Sequence, residues 1–255
     1  METRIFSLTL SYIGSGFHGF ARQLGLPTVQ GALEEALAVV FRRPIETVGA
    51  GRTDAGVHAY GQVVSFALSA DEADTLSPKR LRNSLNALTT DGIIVRSVDE
   101  RPAGFSARFS ALEREYRYRI VASEVPALFI APYVWWLHNE SLDLNRMRQA
   151  VPYLLGEHDF RSFSQESDVD KNTVRHLKSI HIFDREHLGE PCLTIQVIGN
   201  AFLHSMVRII VGSLVDIGYR RRDPEWLEEV LAARNRQTAG QTAPASGLTL
   251  WRVRY

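Results

Sequence analysis

At 255 residues, with 45% hydrophobic and 23% charged side chains, the chain has the composition of a folded protein with material for a sizeable core, which excludes low-complexity disorder. Twenty-nine lysines and arginines balance twenty-nine acids, so bulk charge alone supplies no hold on a polyanion. The single Cys192 excludes an internal disulfide, Met1-Glu2-Thr3-Arg4 opens no apolar signal segment, and no apolar run reaches membrane-spanning length, so a cytoplasmic protein with no membrane association is expected.

Phe6, Leu8, Leu10 and Tyr12 alternate with Ser7, Thr9 and Ser11, which predicts a half-buried strand. A helix is predicted from near Thr28, with Leu33, Leu37 and Val40 on one face. A short strand over 46–49 leads into a glycine-rich loop, and Val64, Phe66 and Leu68 resume the alternation. Ser77-Pro78 reads as a helix start, with Leu81, Leu85 and Leu88 as its buried stripe, and 93–98 closes the half as a strand. The order is β-α-β-β-α-β.

From residue 112 the same order repeats. Tyr116, Tyr118 and Ile120 make a strand; Leu144, Met147, Val151 and Leu154 stripe a helix ended by Gly156. Strands follow over 177–183 and 192–199, with Cys192 as a core residue of the latter. Helices are predicted over 203–217 and 224–233, and Trp251, Val253 and Tyr255 mark a terminal strand. The expected class is α+β: two ferredoxin-like β-α-β-β-α-β halves, 1–110 and 111–255, sharing a largely antiparallel sheet with helices on one face and a central cleft. The boundary is expected between Arg101 and Arg114.

The loop is the octapeptide Gly51-Arg52-Thr53-Asp54-Ala55-Gly56-Val57-His58. A free aspartate is already an anion at neutral pH, and a guanidinium two residues away favours that form, so such a carboxylate acts without an activating base. On local chemistry alone the segment also reads as an ordinary Asx-type turn. Arginines gather at Arg42-Arg43, at Arg114, Arg117 and Arg119, at 220–222, and at Arg234 and Arg236. Acids gather over 71–74 and from Glu157 to Asp170. Each run alone reads as a solvated face, and only convergence in space would make the arginines a nucleic-acid footprint. Arg114-Glu115-Tyr116-Arg117-Tyr118 interleaves cations with aromatics on a strand, a pattern that suits a stacked base beside a phosphate and equally suits plain packing. Arg208 stands on an otherwise apolar helix and needs an anionic partner.

The octapeptide resembles, over eight consecutive positions, the active-site loop of the TruA-type tRNA pseudouridine synthases. The resemblance covers nearly the whole chain. Gly14-Ser15-Gly16-Phe17-His18-Gly19-Phe20 with Arg22-Gln23, Val29-Gln30-Gly31, Phe105-Ser106-Ala107-Arg108-Phe109, and Gly156-Glu157-His158-Asp159-Phe160 with Ser162-Phe163 are similar to that family's blocks in order. Asn200-Ala201-Phe202-Leu203 with Met206-Val207-Arg208, and Ala243-Pro244-Ala245 with Gly247-Leu248, continue the match. Ile13, Phe20 and Ser106 depart from it, standing where the family commonly has aspartate, tryptophan and histidine.

The resemblance implies isomerisation of uridine to pseudouridine in the anticodon stem-loop of tRNA, at the family-typical positions 38–40, by a homodimer without cofactor. It implies that Asp54 is the catalytic residue, that Arg52 fills the place of a flipped base and bonds phosphate, and that Tyr116 stacks on the uracil, with Tyr118 left to the core. Arg208 would reach the aspartate, Leu248 would line the same pocket, and His58 is grouped with the substrate contacts. Two other readings stay open: a non-catalytic RNA-binding protein of the same fold, against which the neutral net charge counts, and a carboxylate-dependent hydrolase, which wants a second acid that the loop lacks. No metal is expected, because none of the eight histidines forms a tight ligand pair with the cysteine or an HExxH pattern. His176 and His181, five apart in one strand, are expected on opposite faces.

Overall fold

The computed structural model describes residues 3–138, 141–165 and 172–255; part of the acidic stretch between Glu157 and Asp170 lies outside them. The chain divides into two compact units, Met1–Leu112 with Leu250–Tyr255, and Glu113–Thr249. The class is α+β, as the alternating patterns predict.

In the first unit, β1 (Thr3–Tyr12) lies between β3 (His58–Ser69) and β4 (Ile93–Arg101), antiparallel to both. The two-residue β2 (Val48–Gly49) pairs with β3 on its edge away from β1, and the part of β10 (Leu248–Arg254) that belongs to this unit lies along that same edge. Register sets the faces: Phe6 pairs with Phe66 and Leu8 with Val64, so one side of the sheet is apolar. Helix α1 (Val29–Phe41) covers that side, with its Phe41 ring 6.5 Å from Phe66. Thr28 caps α1 by accepting the Gly31 N–H at 3.2 Å, which satisfies one of the orphan donors of the first turn.

A short α2 (Ala70–Asp74), which the sequence reading leaves out, begins in a capping box between Ser69 and Glu72. Helix α3 (Pro78–Leu88) starts at the expected Ser77-Pro78 and buries Leu81 and Leu85. Leu88 does not join that stripe: it ends the helix and is 44% exposed.

The second unit holds β5 (Glu113–Ala122), β9 (Glu190–Gly199), β8 (Val174–His187) and β7 (Gly156–Asp159), each antiparallel to its neighbour in that order. The three-residue β6 (Trp135–Leu137) pairs with β5 in parallel. Leu188 and Gly189, both at positive φ, make the tight turn between β8 and β9. Helices α4 (Leu144–Ala150), α5 (Met206–Gly218) and α6 (Trp226–Ala233) complete the unit. The register slips between Leu177 and Ser179, which inverts the side-chain alternation along β8. His176 and His181 therefore stand on the same exposed face, contrary to the expectation from their spacing.

Candidate active site

The octapeptide joins β2 to β3 in the first unit, and its backbone is tied down at Gly51, Thr53, Asp54, Gly56 and Val57, with Ala50 held just before it. The Ala50 N–H donates to the Val63 carbonyl at 2.8 Å, Gln62 Nε2 to the Gly51 carbonyl at 2.8 Å, and the Phe20 N–H to the Thr53 carbonyl at 3.0 Å. The Val57 N–H donates to the Asp54 carbonyl at 3.1 Å and the Gly56 N–H to the Phe17 carbonyl at 3.4 Å. The Thr53 hydroxyl shares a buried hydrogen bond of 2.8 Å with the Tyr12 hydroxyl. Burial pushes the Tyr12 hydroxyl far above the usual phenol range, against the pull of hydrogen bonds to Thr53 and Gln62, so it stays protonated. The glycine-rich segment before α1 thus backs the loop directly, through Phe17 and Phe20.

On this fixed backbone Asp54 is half-buried and Arg52 is exposed. Arg52 makes no hydrogen bond or ion pair among the described residues, so the internal pairing with Asp54 that its spacing allows is not made. His58 is placed differently from a surface contact. It is 3% exposed, and its Nδ1 accepts the Gly14 N–H at 3.1 Å, which joins the glycine-rich segment to the start of β3.

In the second unit Tyr116 and Tyr118 lie on one face of β5. Tyr118 is fully buried and donates its hydroxyl to the Pro244 carbonyl at 2.8 Å, the core role expected of it. Tyr116, 7% exposed, meets the Phe202 ring edge-on with centroids 5.0 Å apart. Arg208, on α5, donates from Nε to the Ala243 carbonyl at 2.8 Å, and the Ala243 N–H returns a bond to the Arg208 carbonyl at 3.1 Å. Its guanidinium also stands near enough to Tyr118 to oppose the upward push of burial on that hydroxyl.

The segment before β10 is therefore strapped to α5 and β5. Gly240 donates to Ser213 Oγ at 2.9 Å, residues 243 and 244 bond Arg208 and Tyr118, and Gly247 lies flat on the Tyr118 ring, where a Cβ would come within 2.6 Å of it. Leu248 follows directly and is buried. Tyr116, Arg208 and Leu248 all belong to this one unit.

The arginine runs are in large part matched to acids. Arg43 forms two bonds of 2.7 Å to Glu72, and Arg117 reaches Glu115 at 2.8 Å. Arg220 reaches Asp143 at 2.9 Å, Arg221 reaches Asp216 at 2.9 Å, and Arg234 reaches Asp159 at 3.2 Å. Arg222 lies over the Trp226 ring. The cations of the Arg43, Arg220, Arg221 and Arg234 pairs are exposed, and such pairs contribute little, so a phosphate can displace the acid there; Glu115, by contrast, is buried beside Arg117.

Two side chains that sequence reasoning passed over belong with the loop. Tyr12 ends a strand whose alternation marks it only as core, and Gln62 sits at an inward position of β3. A buried glutamine among Val63, Val64 and Phe66 is the signal that was available, since a buried amide needs partners.

A family model described as tRNA pseudouridine synthase matches residues 9–110 and 150–255. The chain is 43% identical over 246 residues to the tRNA pseudouridine synthase A of Thermotoga neapolitana, covering 96% of this chain and 97% of that one. It is 43% identical to the protein of the same name from Brevibacillus brevis, with the same coverage. With that from a Geobacillus species the identity is 41% over 257 residues, covering 100% of this chain and 99% of the relative.

Proposed function

The chain belongs to the tRNA pseudouridine synthase family, and from that premise we propose that it isomerises uridines of the anticodon stem-loop with Asp54 as the catalytic residue. It is an RNA-modifying isomerase acting on tRNA. The reaction breaks the bond between uracil N1 and the ribose C1′ and forms one between C5 and C1′; the C5 proton leaves and N1 takes one up. Atoms and electrons balance within the substrate, so the chemistry asks for a carboxylate and a held base. The observation that carries the reading is the Asp54 loop: a half-buried carboxylate between backbone groups that are already bonded, next to an exposed guanidinium.

A uridine inside a stem or a stacked loop must leave its stack before any group reaches its glycosidic bond, at a cost of a few kcal/mol. Arg52 is assigned to the vacated position, and its exposed side chain, unpaired among the described residues, supports that role. Attack on the sugar carbon, addition to the pyrimidine ring and removal of a sugar proton all need an ionised carboxylate beneath the flipped base, and the proposal stands on what they share. Tyr116 is assigned to stacking on the uracil, Arg208 to the aspartate and Leu248 to the apolar wall of the pocket. His58 is assigned to holding the loop, since its Nδ1 is already bonded to Gly14.

No described helix is long and apolar enough to cross a membrane. The reading further places the enzyme in the cytoplasm as a homodimer, for which sedimentation at micromolar concentration should give twice the chain mass. The deciding experiment is incubation with unmodified tRNA transcripts followed by nucleotide-resolution mapping. Pseudouridine in the anticodon stem-loop is expected; modification confined to other arms would reject the assignment of substrate region.

Tyr116→Leu is expected to lower turnover about 10- to 100-fold, since one base-aromatic stack is worth about 1 to 3 kcal/mol. Tyr116→Phe should retain most activity. If Phe proves as inactive as Leu, the hydroxyl takes part in proton transfer and stacking is not the whole role.

A further inference from the structure

We infer that Tyr12 and Gln62 are positioning residues for this reaction: they hold the residues on either side of Arg52, Gln62 through the Gly51 carbonyl and Tyr12 through the Thr53 hydroxyl, and thereby set where Asp54 and Arg52 project. The inference rests on the assignment of Asp54 made above. Gln62 is fully buried, donates from Nε2 to the Gly51 carbonyl at 2.8 Å, and accepts the Val63 N–H at its own Oε1 at 3.1 Å. Tyr12 is buried and bonds the Thr53 hydroxyl, while the Thr53 carbonyl accepts from Phe20. Residues 51 and 53 are thus both held from the inner side, and Arg52 between them is exposed.

The sheet supplies the geometry. Leu10 faces Gln62, but the register between β1 and β3 slips before Tyr12, which faces Ala59. An unbroken ladder would have set Tyr12 opposite Tyr60. The slip carries the Tyr12 hydroxyl one residue nearer the loop, onto Thr53. Packing does not call for either group. Positions 12 and 62 lie on the apolar side of the sheet with Leu10 and Val64, where Phe and Leu would fill the space with no polar atoms to satisfy. Two polar side chains there, one bonded to Gly51 and the other to Thr53, point to alignment of the loop.

The test uses the full-length protein and single-turnover and steady-state assays on tRNA. Thr53→Val removes the hydroxyl at nearly constant shape, Thr53→Ser keeps it, Tyr12→Phe removes its partner, and Gln62→Met removes the amide. Thr53→Val, Tyr12→Phe and Gln62→Met are each expected to lower kcat about 10- to 100-fold, the scale of a misplacement near 1 Å, with KM and the tRNA Kd changed by no more than about twofold. Thr53→Ser should recover most of the loss. The Tyr12→Phe, Thr53→Val double variant should be no slower than its slower parent, because both remove one shared bond. Unchanged kcat with a lowered melting temperature, or a loss confined to KM, would overturn the inference and leave these groups with a structural role alone. Should Tyr12→Phe fail to fold, Thr53→Val against Thr53→Ser decides. Asp54→Asn, run alongside, separates the two levels: an active Asp54→Asn overturns the catalytic assignment itself, whereas an inactive one beside a fully active Thr53→Val overturns only the positioning role.

Discussion

Asp54→Asn is expected to abolish pseudouridine formation, a loss of at least about 10⁴-fold in turnover, while the melting temperature and the tRNA Kd stay close to those of the parent enzyme. The substitution keeps the shape of the side chain and removes its charge, and every route open to a carboxylate here needs that charge. The fold has little reason to respond. The backbone bonds that hold the loop come from Gly51, Thr53, Gly56 and Val57 and from the Asp54 carbonyl, all of which the variant retains. Release of the uracil C5 proton from labelled tRNA gives the rate directly. Turnover within about tenfold of the parent would mean that the carboxylate is not the reacting group, and the chemistry would have to be sought elsewhere.

What the sequence makes legible follows from how local each signal is. The Asp54 loop stands out because glycine, arginine, threonine and aspartate concentrate in eight residues, and Ser77-Pro78 announces α3 because its capping is a matter of a single turn. The Ser69-to-Glu72 capping box has the same local character and was open to the same reading. Features that depend on register were out of reach. No run of residues reveals that β8 slips between Leu177 and Ser179, and that slip alone turns His176 and His181 to one face. The slip between β1 and β3 before Tyr12 is equally silent, so a tyrosine bonded to the Asp54 loop reads as one more apolar position of a strand. The arginine runs depend on contacts far apart in the chain: Arg220 meets an acid 77 residues away and Arg43 one 29 residues away. Charge counted along the sequence therefore overstates the basic surface left for a polyanion.

Gly14→Ala should show how much of the chemistry depends on the segment behind the loop. A Cβ at residue 14 would lie 2.0 Å from the Val57 carbonyl oxygen, 2.5 Å from the carbon that bears it and 2.9 Å from the Gly56 carbonyl carbon. These are backbone atoms of the loop itself and cannot swing aside as a flexible side chain would. One of the two segments has to move, and movement breaks the Gly14 N–H bond to His58 and strains the bond from Gly56 to Phe17. The expected destabilisation is about 1 to 3 kcal/mol from the overlap, with turnover lowered about 100-fold as Asp54 is displaced. Gly16→Ala is the matched control, because a Cβ there meets nothing within 4 Å, and it should leave both quantities within experimental error of the parent. A Gly14→Ala enzyme with parental melting temperature and turnover would show that the loop holds its shape without this contact. The expected contrast lies in which observables move together. Removing the Asp54 charge should stop the reaction in a protein of unchanged stability, whereas crowding Gly14 should lower stability and rate at once, because the glycine acts on the carboxylate only through the backbone that carries it.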